Sequence, residues 1–149
     1  MRQARWFGLV VMVFATLTMA QTPPEKVATQ NGVSFVSGGI GLDSEERLKA
    51  REKEFNLKLV FTLVEGNYVA DVGVTIRNAA GKTMVEHVAD GPFFMAKLPA
   101  GAYSVTAMYE GKTQTRKVSV RDGRLHTEYI RWPSNPATDF PLPREETRK

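Results

Sequence analysis

From Asn56 to Trp132 the chain changes side-chain character at every second residue and is interrupted at short intervals by turn-forming residues. That pattern admits little besides a stack of short strands. Leu57, Leu59, Phe61 and Leu63 alternate with Lys58, Val60 and Thr62, and Val72, Val74 and Ile76 alternate with Gly73, Thr75 and Arg77. Successive side chains of a strand point to opposite faces, so this spacing lines one face with hydrocarbon and predicts half-buried strands. Further strands are predicted at Thr83 to Val88, Phe93 to Leu98, Tyr103 to Tyr109, Lys112 to Val120 and Leu125 to Arg131. They are separated by Asn78-Ala79-Ala80-Gly81, Asp90-Gly91-Pro92, Pro99-Ala100-Gly101, Glu110-Gly111 and Arg121-Asp122-Gly123, all of them turn chemistry. Seven short strands so spaced predict an all-β fold, a seven-stranded β-sandwich, preceded by one short N-terminal helix.

The residues before Asn56 divide into an address and a leader. Met1 to Arg5 carries two positive charges, Trp6 to Met19 is a 14-residue apolar run, and Thr18-Met19-Ala20 places small residues at a cleavage point. Together they predict a secretory signal peptide over residues 1–20, cleaved after Ala20. A membrane span needs roughly 20 apolar residues, so no stable membrane anchor is expected after cleavage, and the expected location is periplasmic or secreted. Residues 21–55 are read as a leader, a glycine loop and a capped helix. Gln21 to Asn31 is polar, contains Pro23-Pro24 and reads as flexible, and Val33-Ser34-Phe35-Val36 is a short apolar stretch before Gly38-Gly39-Ile40-Gly41. The helix is expected to start at Asp43, with Glu46 completing a capping box, and to end near Glu54. A small sandwich core seldom supplies more than about 3–5 kcal/mol unaided, so Val33, Phe35, Val36, Leu48 and Phe55 are expected to pack against it. Residues 56–132 form the predicted β-sandwich domain. After Trp132, the prolines at 133, 136, 141 and 143 predict a disordered tail over residues 133–149.

Charge and composition exclude several chemistries. Lys+Arg of 20 against Asp+Glu of 16 gives a net charge of +4, and Arg2 and Arg5 leave with the signal peptide, which is too weak a balance to expect a nucleic-acid partner. There is no cysteine, hence no disulfide, thiolate metal site or cysteine nucleophile. Of the two histidines, His87 and His126, only the latter shares a strand face with a carboxylate, Glu128, and no zinc-binding spacing accompanies either. Ser34, Ser37, Ser44, Ser104 and Ser119 lack a nucleophile-elbow frame. No catalytic, cofactor-binding or metal-binding residue is expected. Gly38-Gly39-Ile40-Gly41 lacks the lysine of a phosphate loop, and Asp43, Glu45 and Glu46 would repel an anion, so Gly38, Gly39 and Gly41 are read either as a backbone turn that glycine permits or as an interaction loop. Lys112, Arg116, Lys117, Arg121 and Arg124 gather on the last hairpin, either as a solvated edge that discourages strand pairing or as a surface for anionic envelope polymers. Trp132, with Tyr68 and Tyr109, is read as a glycan platform or as sandwich core.

Asp71-Val72-Gly73-Val74-Thr75-Ile76, then Gly81, then Leu98-Pro99-Ala100-Gly101-Ala102-Tyr103-Ser104-Val105-Thr106-Ala107 with Gly111 following, resembles the carboxypeptidase regulatory-like domain. The resemblance runs from about Leu57 to Val120 and implies a prealbumin-like (transthyretin-like) sandwich. The Gly-Gly-Ile-Gly segment and acidic helix leading into Asn56-Leu57 are also similar to small secreted bacterial proteins of this type. In the larger carboxypeptidases such a domain accompanies a separate zinc domain that performs catalysis, so the resemblance implies secretion and a binding or accessory role, and it supplies no catalytic residue. The function expected is therefore a secreted, non-enzymatic module that binds a periplasmic or envelope protein. The alternative is a carbohydrate- or polyanion-binding accessory module that uses Arg116 and Trp132.

Overall fold

The computed structural model of the protein describes residues 23–135, so the expected signal peptide and most of the expected tail lie outside the described residues. All seven expected strands are present, and the N-terminal segment contributes two more. In chain order the strands are β1 (Ala28–Gln30), β2 (Val33–Gly38), β3 (Leu57–Leu63), β4 (Val72–Asn78), β5 (Thr83–Ala89), β6 (Phe93–Lys97), β7 (Gly101–Tyr109), β8 (Lys112–Val120) and β9 (His126–Trp132). The extra pair corrects the reading of residues up to Asn31 as a flexible leader. Asn31 (φ 48°) and Gly32 (φ 75°) form the two-residue turn of a tight hairpin, which requires positive φ at both positions, and β1 folds back on β2 around it.

The strands form two sheets, a five-stranded one in the order β1-β2-β6-β3-β9 and a four-stranded one in the order β5-β4-β7-β8. Ladders are antiparallel except between β3 and β9, which run parallel with Leu57 opposite His126 and Leu63 opposite Trp132. Alternation then sorts the side chains. Phe35, Leu57, Leu59, Phe61, Phe94, Ile130 and Trp132 of the first sheet meet Val74, Ile76, Val85, Val105 and Val120 of the second in one buried core. The opposite face of the first sheet carries Val36, Val60, Phe93 and Met95, and Leu48 and Phe55 cover them from the helical segment. β3 is therefore buried on both faces and not half-buried as its lysine and threonine suggested: Val60 and Thr62 are buried as well as Leu59 and Phe61.

The helix α1 spans Leu42–Ala50, with a separate 3-10 turn at Glu52–Glu54. The expected capping box is not used. Gly41 (φ 85°) is the N-cap and makes no side-chain cap bond, because Asp43 falls inside the first turn. Ser44 does the local work instead: its hydroxyl accepts from the Gly39 N–H at 2.8 Å and donates to the Glu25 carboxylate. Arg47 clamps the same carboxylate through Nε (3.2 Å) and Nη2 (2.9 Å). No helix among the described residues is long and apolar enough to cross a membrane.

Glu25 is thus a latch that ties the entering chain to α1, and it makes stability depend on pH. Its pKa is pushed down to about 2 from 4.5, chiefly by the Arg47 hydrogen bonds, with burial opposing and Ser44 assisting. A carboxyl lowered on folding stabilises fully above its unfolded value and loses that contribution as pH falls through its folded value. We expect the protein to lose on the order of 1–3 kcal/mol from this group between about pH 5 and pH 2. The Glu25→Gln variant should lack that component when urea midpoints of the two are compared across the range.

Candidate functional site

The glycine loop joins the end of β2 to α1, and two of its glycines, Gly38 and Gly39, answer to different contacts. A Cβ on Gly39 (φ 97°) would stand 2.1 Å from the Phe93 ring. One on Gly91, in the turn before β6, would stand 2.3 Å from the Gly38 carbonyl oxygen, and one on Gly38 would stand 2.8 Å from the Glu25 side chain. The loop backbone is thereby wedged between Phe93, Gly91 and Glu25, while a Cβ on Gly41 would meet nothing within 4 Å. Gly39→Ala is expected to cost about 1–3 kcal/mol, since it adds both a strained φ and a collision with a buried ring. Gly41→Ala, with strain alone, should cost less, and thermal melting of the two variants checks the order.

Beyond this clamp the loop turns its apolar side chains to water. Ile40 is 68% exposed and Leu42 is 77% exposed, one on either side of Gly41. Tyr68 is half exposed and sets its ring edge-on to Phe93 at 5.2 Å, while Lys58 holds its ammonium 5.0 Å from the same ring and pairs with Glu52. Tyr129, also exposed, lies opposite Val60 in the parallel ladder, with Arg131 over its ring at 5.6 Å. Exposed large apolar and aromatic groups thus flank the cluster that α1 covers. Thr62, bridged to Tyr68, buries a hydroxyl with no hydrogen-bond partner in the same region.

Trp132 does not belong to any exposed platform. Its ring is 0% exposed, lies between Phe61 (6.2 Å) and Tyr109 (5.6 Å), and donates from Nε1 to the Lys112 carbonyl at 3.0 Å. The expectation of Trp132 as an interaction residue is therefore corrected: in β9 Ile130 and Trp132 face the core, and Tyr129 and Arg131 face out. Arg116 is held by Gln114 (3.3 Å) and by Glu128 (3.8 Å), and Glu128 also meets His126 at 3.2 Å.

The fold also makes a contact that nothing local in the chain announces. The Ser37 hydroxyl lies 3.1 Å from His87 Nε2, donates to Asp90 Oδ2 at 3.4 Å and accepts from the Asp90 N–H at 3.1 Å. Serine, histidine and aspartate meet, but not as a nucleophilic triad. The carboxylate touches the serine and not the imidazole, so it does not orient His87 as a base, and Ser37 is only 7% exposed. The group is a polar clasp between β2 and the β5–β6 corner. Among the described residues no three metal-ligating side chains converge.

No protein-family model matches the chain, and no curated protein matches it.

Proposed function

We propose that the protein is a secreted, non-enzymatic binding module of the cell envelope, in which a carboxypeptidase regulatory-like sandwich presents the glycine-loop rim to a periplasmic or envelope protein. The observation that carries this reading is the exposure of Ile40 (68%) and Leu42 (77%) on a backbone fastened by Gly39 against Phe93. Large aliphatic side chains in water gain from being covered, and a loop already fixed in place loses little further freedom when they are. The chemistry of the remaining polar groups supports binding over catalysis: Ser37, His87, Glu128 and Arg116 are occupied with one another or with their neighbours. Signal-peptide features at residues 1–20 and the absence of cysteine support the envelope location.

The test is site-specific photo-crosslinking in intact cells, with the reactive side chain at Leu42 and, as control, at exposed Lys82 on the distant β4–β5 turn. A discrete protein adduct is expected from position 42, absent from position 82 and lost when Ile40→Ser is added. Equal adducts from both positions, or none from position 42, would reject the reading. Mass spectrometry of the exported chain should show it beginning at Gln21.

A further inference from the structure

The two side walls of the sandwich are finished differently. On one side the edge of β5 is sealed by side-chain amides from the β1–β2 hairpin. Gln30 Nε2 donates to the Glu86 carbonyl at 3.0 Å while Oε1 accepts the Glu86 N–H at 2.9 Å, so this amide stands where a neighbouring strand's peptide group would be. Asn31 Nδ2 caps the Thr83 and Met84 carbonyls, both at 3.2 Å. Such sealing is how sheets avoid pairing with foreign strands.

Among the described residues, the opposite wall has no comparable seal. β8 ends the four-stranded sheet and β9 ends the five-stranded one, each with a ladder partner on one side only. A cleft of about 400 Å³ separates them, lined by Lys117, Ser119, Arg121, Arg124, His126 and Glu128. Its far end is shut by the Trp132–Lys112 bond, and Glu128 is already in contact with Arg116 (3.8 Å) and His126 (3.2 Å). Lys117, Arg121 and Arg124 are exposed and make no ion pair among the described residues, and Asp122 in the turn is the one acidic neighbour in sequence. Val118 and Val120 point into the core, so Lys117 and Ser119 follow one another on the other face of β8, and Arg121, the next residue after the strand and bridged to Arg124, continues the row.

We propose that this cleft is a second binding site, separate from the glycine-loop rim, which takes an acidic peptide in extended conformation as an added strand along β8. An unpaired strand edge offers N–H and C=O groups in alternation, which complements a peptide backbone better than it does a chain of phosphates. The cations then select among peptides. They repel basic strands and leave neutral ones without compensation, whereas carboxylates four residues apart meet Lys117 and Arg121, with the residue between them at Ser119.

The experiment titrates a nine-residue Val/Thr peptide carrying Glu at its third and seventh positions into the isotopically labelled mature chain, reading amide shifts and fluorescence anisotropy. Shifts are expected at Lys117 to Arg121, with affinity falling as salt rises. The double variant Lys117→Glu, Arg121→Glu should weaken binding at least tenfold and bind the corresponding Lys peptide instead, and its unchanged melting temperature would show that the fold is intact. N-methylation of the peptide's edge-facing amides should abolish binding. Equal binding of the N-methylated peptide, shifts mapping elsewhere, no binding, or preference for inorganic polyphosphate over the Glu peptide would each overturn the proposal. None of those outcomes touches the crosslinking result at Leu42, which tests the other surface.

Discussion

A chain that begins at Asn56 is expected to show no cooperative unfolding transition, although it retains every strand from β3 to β9. β2 lies inside the five-stranded sheet, bonded to β1 on one edge and to β6 on the other. Its Val33 and Phe35 fill the inter-sheet core and its Val36 the second cluster, at 0%, 1% and 1% exposure. Each fully buried side chain of this kind contributes about 1.5–3 kcal/mol, so the three together represent on the order of 5 kcal/mol. That is comparable to the whole stability of a small domain, about 5–15 kcal/mol. Truncation would also uncover Phe94, whose ring stacks on Phe35 at 5.7 Å, and would leave the β6 edge unpaired from Ser34↔Lys97 to Gly38↔Phe93. Calorimetry of chains beginning at Gln21 and at Asn56 decides the matter: transitions within a few degrees of each other would mean that β2 is dispensable.

Trp132→Ala should be the most damaging single substitution, at about 3–5 kcal/mol. The indole is wholly buried against Phe61 and Tyr109, and its N–H reaches across to the first residue of β8, so one side chain both fills the core and joins the two sheets where the β8–β9 cleft closes. Trp132→Phe keeps most of the packing, loses the bond to the Lys112 carbonyl and should cost about 1–2 kcal/mol. Urea denaturation followed by far-UV circular dichroism separates the two variants. Equal losses would mean that the hydrogen bond, and not the volume, matters at this position.

The elements of the sandwich were legible in the chain because their causes are local. Alternation at Leu57 to Leu63 and Val72 to Ile76, and turns at Asn78 to Gly81 and Glu110-Gly111, depend on residues a few positions apart, and the strands lie where that pattern puts them. The β1–β2 hairpin carried a local signal too, Asn31-Gly32, but its strand of three residues is too short and polar to show periodicity. The helix start misled for a physical reason: the chain turns helical at Leu42, so Asp43 falls inside the first turn and the N-cap passes to Gly41.

What belongs to the surfaces was decided by tertiary structure alone. Three glycines in four residues mark a special backbone, but only the fold shows that Gly39 yields to Phe93 and Gly38 to Glu25 and Gly91, leaving Ile40 and Leu42 in water. Alternation in β9 divides Ile130 and Trp132 from Tyr129 and Arg131 without saying which pair faces inward, since that depends on which sheet the strand joins and on which side its neighbour lies. The basic residues of the last hairpin are visible in the chain. Their placement on a cleft follows from β8 closing one sheet and β9 the other, and Ser37, His87 and Asp90 meet across some fifty residues by the same means. By itself the sequence determined the seven strands from β3 to β9 and their turns, because those follow from short-range sterics and side-chain period. Partners, coverage and exposure come from contacts between residues far apart in the chain, and no local pattern encodes them.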